Sequence, residues 1–186
     1  MMRSKWFSAC KLFVVLSLVF MGSGFQQADA KDESASRTKV VKVPIKDAKG
    51  KQIGEAALSQ LDYGVQIKIE VKGLTPGLHG IHFHENGKCE PPEFKTAGDH
   101  FNPGHKHHGL LNPEGPHVGD LPNLVVDSKG YAVMQVISKL VTLNPNEPNS
   151  LLKPGGTSMV IHAQEDDEKT DPSGNSGARI ACGVIN

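Results

Sequence analysis

The sequence predicts an all-β fold, an antiparallel sandwich or flattened barrel of about eight short strands. Three observations predict it. Short segments alternate apolar and polar residues with the two-residue period of a half-buried strand, most clearly Val65, Ile67, Ile69 and Val71 against Gln66, Lys68 and Glu70. Clusters of Gly, Pro, Asn and Asp punctuate these segments at short intervals. No segment carries a convincing helical period, and there is no internal repeat or second domain.

The chain begins with a segment outside that fold. Arg3, Lys5 and Lys11 precede an apolar run from Leu12 to Met21, and Ala28-Asp29-Ala30 follows as an A-x-A pattern. This reads as a secretory signal over residues 1–30, cut after Ala30. The run is short against the roughly 20 residues of a spanning helix, so no membrane span is expected after cleavage. Residues 31–37 are polar and small and read as a flexible leader, leaving residues 38–186 as the folded domain. The protein is therefore expected in a periplasm, a cell envelope or the medium.

Within the domain, TKVVKVPI sets Val41, Val43 and Ile45 on one face, and DAKGK supplies a turn. EAALSQL is a weaker strand, because Ala and Leu also suit a helix. VQIKIEV follows, then GLTPG turns the chain into a fourth strand, GLHGIHFHE. The segment from Asn86 to Gly119 has no strand or helix pattern and is rich in Gly, Pro, Asn and His. Connections this long are uncommon in compact domains unless functional or disordered, and metal ligation is what can order this one. DLPNLVVD, YAVMQVISKL, TSMVIHAQE and ARIACGVI complete the strands.

Charge excludes several function classes. The whole chain has 20 basic and 20 acidic residues, and removing residues 1–30 takes away Arg3, Lys5, Lys11 and Asp29, leaving 17 against 19. No basic stripe argues for nucleic acid, and no basic amphipathic helix for a membrane surface. Cys10 leaves with the signal, so Cys89 and Cys182 remain. An even count in an oxidising compartment favours a bridge over two independent buried thiols.

The chemistry concentrates between His79 and Asp120, which holds eight of the nine histidines. His82 and His84 at i, i+2 on a strand project to the same side. His100, His108, His117 and Asp120 lie in the long loop, and His162 lies on a strand that can align beside the first. Imidazole suits copper, zinc, iron or nickel. A histidine-only site next to one with histidines and a carboxylate suits copper and zinc; three histidines with Asp120 would fill a tetrahedral zinc with no open position, which marks a structural site.

The stretches GLHGIHFHENGKC, AGDHFNP, HHG, GPHVGDLPN, MVIHAQEDD and GNSGARIACGVI, in this order and over essentially the whole exported chain, strongly resemble the copper/zinc superoxide dismutases. The resemblance implies an eight-stranded Greek-key β-barrel with long metal-binding loops. It implies His82, His84, His100 and His162 as copper ligands and His100, His108, His117 and Asp120 as zinc ligands, with His100 shared. It also implies Asp166 as the carboxylate linking a copper-side and a zinc-side histidine, and Arg179 beside the copper to draw and orient the anion. Cys89 and Cys182 match the family's disulfide, while His79 matches a buried position that bonds backbone, and His105 and His107 match no ligand. Lys169 is the only lysine in its loop, so the guiding charges many relatives place there are sparse.

The implied activity is dismutation of superoxide to oxygen and hydrogen peroxide by alternating copper oxidation states, with Arg179 and His100 as the catalytic residues. A homodimer is a further expectation. The alternatives are a non-enzymatic secreted copper- and zinc-binding protein on the same fold and, more weakly, a zinc hydrolase, which a fully ligated zinc does not suit.

Overall fold

The computed structural model describes residues 40–186. The expected signal and leader lie outside the described residues.

Strands β1 (Val40–Asp47), β2 (Gln52–Leu61) and β3 (Gly64–Lys72) form an antiparallel meander. Each alternates: Val43 and Ile45, Ala56 and Leu58, and Ile67 and Ile69 are buried on one side of the sheet. Full burial of each large aliphatic side chain contributes about 1.5–3 kcal/mol, which resolves EAALSQL as strand: Ala56 and Leu58 fall on the two-residue period that meets this core.

The sheet continues in both directions through crossovers. On one side β3 pairs β7 (Tyr131–Ser138), from Val65 opposite Ser138 to Lys72 opposite Tyr131. On the other, β1 meets β9 (Arg179–Ile185), β9 meets β8 (Thr157–His162), and β8 meets β5 (Ile81–His84). The spatial order is β5-β8-β9-β1-β2-β3-β7, and β4 (Gly77–His79) pairs separately with β6 (Leu124–Val126).

The expected fourth strand is thus two strands, broken at Gly80. The Gly80 N–H donates to the Gln164 carbonyl at 2.8 Å and its own carbonyl accepts from His162 at 2.8 Å. A Cβ there would come within 2.7 Å of the Ser176 Cβ. With β4 and β5 counted as one bent strand, eight strands close the barrel: its first half pairs β6, its second half pairs β8, and β6 turns into β7. Among the described residues the one helical turn is the 3-10 turn Lys95–Ala97, inside the segment expected to be irregular.

Candidate metal centre

β5 has a buried residue at every position, because both its faces are covered. Ile81 and Phe83 enter the barrel core, and His82 and His84 face the long loop. The loop is stitched to this strand through Phe83, whose N–H donates to the Gly119 carbonyl at 2.9 Å and whose carbonyl accepts from Phe101 at 2.8 Å. Gly119 in turn donates to the Phe101 carbonyl at 2.8 Å. Short bridges then set Asp120 opposite His82 and His100 opposite His84. His162, at the end of β8, comes in beside them; its N–H is the one that the Gly80 carbonyl holds.

The hydrogen bonds fix which nitrogen of each imidazole is free. His82 donates from Nε2 to Asp166 Oδ2 at 2.7 Å. His84 donates from Nδ1 to the Gly98 carbonyl at 2.9 Å, and His162 from Nδ1 to the Gly177 carbonyl at 3.1 Å. A neutral imidazole with one nitrogen donating presents a lone pair on the other. His82 Nδ1, His84 Nε2, His100 Nε2 and His162 Nε2 are buried and have no hydrogen-bond partner. His82, His84, His100 and His162 offer ligand atoms that all lie within 4.8 Å of one another. Buried polar atoms are almost always satisfied, so four orphaned lone pairs converging on one point fit a metal that accepts nitrogen ligands.

A second cluster forms on the far side of His100. Asp120 Oδ1 lies 3.1 Å from His100 Nδ1, 3.1 Å from His108 Nδ1 and 3.3 Å from His117 Nδ1, and the His100 and His117 Nδ1 atoms are 3.3 Å apart. A tetrahedral zinc with bonds of about 2.0–2.1 Å separates its ligand atoms by about 3.3 Å, so this spacing fits. His82, His100, His108 and Asp120 also present atoms within 4.8 Å of one another. His82 Nε2, however, is held by Asp166 and its Nδ1 belongs to the first cluster, so His117 completes the second. Asp120 Oδ2 is fixed by the N–H groups of Gly109 and His117, each at 2.9 Å.

Asp166 joins the two clusters. Its Oδ2 takes the His82 Nε2 bond and its Oδ1 lies 3.0 Å from His108 Nε2. Asn123 grips the Asp166 backbone at both ends, accepting its N–H at 2.9 Å and donating to its carbonyl at 2.8 Å. The neighbouring Asp167 is exposed and instead accepts from the N–H groups of Lys169 and Thr170.

The electrostatics of the two clusters diverge. Burial, partly offset by the Asp166 bond, pushes His82 down to about 3, and burial pushes His162 down to about 4. His84 and His100 are lowered for the same reason. Burial also opposes the charging of His108, but its bonds to Asp120 and Asp166 outweigh that and raise it to about 9. Burial alone would raise Asp120 and Asp166; their histidine partners hold both well below the usual carboxylate range.

Arg179 opens β9 at the rim, donating from Nη1 to the Phe94 carbonyl at 2.9 Å and from Nη2 to the Gly98 carbonyl at 2.7 Å. The Gly98 carbonyl therefore serves both Arg179 and His84. Cys89 and Cys182 form a disulfide with Cα atoms 5.7 Å apart, linking the segment that carries those carbonyls to β9. His79 is buried with its ring nitrogens 2.7 Å from the His162 carbonyl and 2.8 Å from that of Thr75. His105 lines the cleft without joining either cluster, and His107 pairs with Asp171 at 2.5 Å. Sequence reasoning passed over Asn123, although it sits in GPHVGDLPN, and the Phe94 and Gly98 carbonyls, for which side-chain identity carries no signal.

Residues 52–185 match the family described as copper/zinc superoxide dismutase (SODC). The chain is 54% identical over 142 residues to "Superoxide dismutase [Cu-Zn] 1" of Aquifex aeolicus, covering 76% of this chain and 84% of that one. It is 46% identical over 143 residues to "Superoxide dismutase [Cu-Zn]" of Caulobacter vibrioides, covering 76% and 82%. Among solved structures, a SOD-like protein from Bacillus subtilis aligns with a TM-score of 0.77 at 38% identity, covering 80% of this chain and all 100% of that one. The Cu/Zn superoxide dismutase from Brucella abortus aligns with 0.64 at 32% identity, over 80% and 100%. A closed Greek-key barrel, two histidine clusters meeting at one shared imidazole and these likenesses have one common reading: the chain belongs to the copper/zinc superoxide dismutase family.

Proposed function

We propose that this protein dismutates superoxide, using copper held by His82 Nδ1, His84 Nε2, His100 Nε2 and His162 Nε2 and zinc held by the Nδ1 atoms of His100, His108 and His117 with Asp120. The observation that carries this is the convergence of four buried, partnerless imidazole nitrogens beside the Asp120 cluster. Bound copper supplies a one-electron couple that oxidises one superoxide to oxygen and reduces a second, which leaves as hydrogen peroxide after taking up two protons.

The chain's own groups do the rest. His100 presents one nitrogen to each cluster, so its Nε2 can hold a proton when it is not a ligand and deliver it to the departing product. Arg179 offers a fixed cation at the rim to bind and orient the anion. Asp166 holds the His82 and His108 rings in their ligating tautomers, the usual work of a carboxylate behind a metal-bound histidine. The cleft above the copper cluster, about 780 Å³ and lined by His84, His100, His162 and Arg179, is open to water and far larger than a diatomic anion. Selection therefore rests on charge rather than on size.

A complete set of nitrogens beneath an open cleft disfavours the non-enzymatic alternative. The disulfide is consistent with export to an oxidising compartment, and we place the protein outside the cytoplasm. Among the described residues no helix is long and apolar enough to cross a membrane. Homodimer formation belongs to the proposal as well; the exposed cross-strand pair Leu78 and Val125 on β4 and β6 offers an apolar face for it, and sedimentation equilibrium measures it.

The decisive experiment is dismutase activity of the copper- and zinc-loaded protein, with metal content measured alongside. Activity should vanish on copper removal and not return with zinc. His162→Ala should abolish it; full activity in that variant would remove the copper assignment.

A further inference from the structure

The segment from Ala163 to Ala178, which closes one side of the site, is acidic: Glu165, Asp166, Asp167, Glu168 and Asp171 stand against the single Lys169. Lys169 does not line the cleft above the copper cluster. Two further carboxylates, Glu85 and Asp99, do line it. None of the segment's acids lines the cleft, so an anion at the mouth meets Glu85 and Asp99, which Arg179 alone does not balance unless a second cation stands there.

One does. Lys153, from the loop between β7 and β8, lines the same cleft as Arg179. It is half-buried, and among the described residues its ammonium is in no ion pair. Its backbone is held in place independently of its side chain. The Lys153 carbonyl accepts the Gly156 N–H at 2.8 Å, and the adjoining Gly155 carbonyl packs so tightly on Gly87 that a Cβ there would lie 2.4 Å from it. The turn is thus braced against the disulfide segment, and the ammonium projects from a fixed base.

We propose that Lys153 is the residue that guides superoxide into the cleft. The inference rests on the dismutase reading and adds a residue to it. Lys153 acts through its field at the entrance while Arg179 binds the anion inside. A charge at the mouth of a low-dielectric cleft raises the local concentration of an oppositely charged substrate, and the effect is screened by salt.

The test compares copper- and zinc-loaded wild type with Lys153→Gln, Lys153→Glu and Lys153→Arg at matched metal content. Two quantities are measured: kcat/KM for superoxide, and the dissociation constant of azide, a small monoanion, from titration of the copper absorption. Near 0.01 M ionic strength, where the Debye length is about 30 Å, Lys153→Gln should lose about threefold and Lys153→Glu about tenfold in both, with Lys153→Arg near wild type. Near 1 M, with a Debye length of about 3 Å, the differences should shrink below about twofold. Lys169→Gln, outside the cleft, should change neither by more than about 1.5-fold. Wild-type values for Lys153→Glu at low ionic strength would overturn the proposal, as would a deficit that persists undiminished at high salt. An inactive wild type whose azide affinity still weakens from Lys153→Gln to Lys153→Glu would remove the dismutase reading and leave anion guidance by Lys153 standing.

Discussion

Replacing both bridge cysteines, Cys89→Ser with Cys182→Ser, should cost this protein stability and rate through two separable routes. The bridge spans 93 residues, and the chain-entropy relation gives about 4.7 kcal/mol for a closed loop near that length, within the 2–5 kcal/mol commonly seen on removal of a native disulfide. Burial adds to this, because the serine hydroxyl at position 182 lies among Phe94, Ala97 and Val160, where a buried polar group without a partner costs about 1–3 kcal/mol. The second route is positional. The bridge fixes the segment whose Phe94 and Gly98 carbonyls hold the Arg179 guanidinium at 2.9 and 2.7 Å, and Gly98 also holds His84. Backbone bonds from Glu85 to Asp99 and from Asn86 to Ala97 remain, so the segment loosens without detaching. Urea denaturation of the metal-free proteins should show a loss of at least about 4 kcal/mol. The loaded variant should retain copper yet lose on the order of tenfold in kcat/KM, since a mobile Arg179 no longer presents a fixed charge. A metal-free stability within about 1 kcal/mol of wild type would refute the entropic part. Undiminished kcat/KM with full copper would refute the claim that the bridge positions Arg179.

Two further outcomes follow from the carboxylates behind the ligands. His108 has a folded pKa raised to about 9 from 6.5, so its contribution to metal-free stability is complete below about 6.5 and lost as pH rises through about 9, by at most about 1.4 kcal/mol per pH unit. Zinc must displace that proton, so zinc affinity measured by chelator competition should rise about tenfold per unit over the same window; a flat profile would contradict it. Asp166→Ala leaves the Nε2–H groups of His82 and His108 without their acceptor and should weaken metal binding ten- to hundred-fold. Asp167→Ala, altering a neighbouring exposed carboxylate with no bond to either histidine, should leave affinity unchanged, and equal effects of the two would remove the special role of Asp166.

Much of the fold was legible because strands such as β3 and β7 write their buried face directly into the sequence as an alternation. The break at Gly80 was not, because it arises from what presses on the strand, Ser176 and the backbone of Gln164 and His162, which lie some 80 to 100 positions along the chain. Histidines betray themselves by type, so both clusters could be proposed without a structure. Their orientation could not: the partners that choose the free nitrogen at His84 and His162 are the carbonyls of Gly98 and Gly177, and a carbonyl is common to every residue. Lys153 was silent for a related reason. A lysine in a Pro- and Gly-rich loop reads as an ordinary solvated charge until the crossover between β7 and β8 sets it in the lining of the cleft that Arg179 also lines.

The two clusters divide the work of order and reactivity along the chain. Three histidines of the first cluster, His82, His84 and His162, come from β5 and β8, strands buried in the barrel wall, and burial lowers their pKa values, so they would offer lone pairs to a metal at neutral pH without releasing a proton. The second cluster comes from a loop with few regular backbone bonds, and there the bonds to Asp120 and Asp166 raise the His108 pKa to about 9. A protonated His108, flanked by those two carboxylates, would place positive charge in the cluster and draw the same groups together as a zinc ion would. The loop can therefore hold its shape before metal arrives. Zinc bound at this cluster would take the His108 Nδ1 lone pair and leave the Nε2–H to Asp166, which keeps its bond to His82.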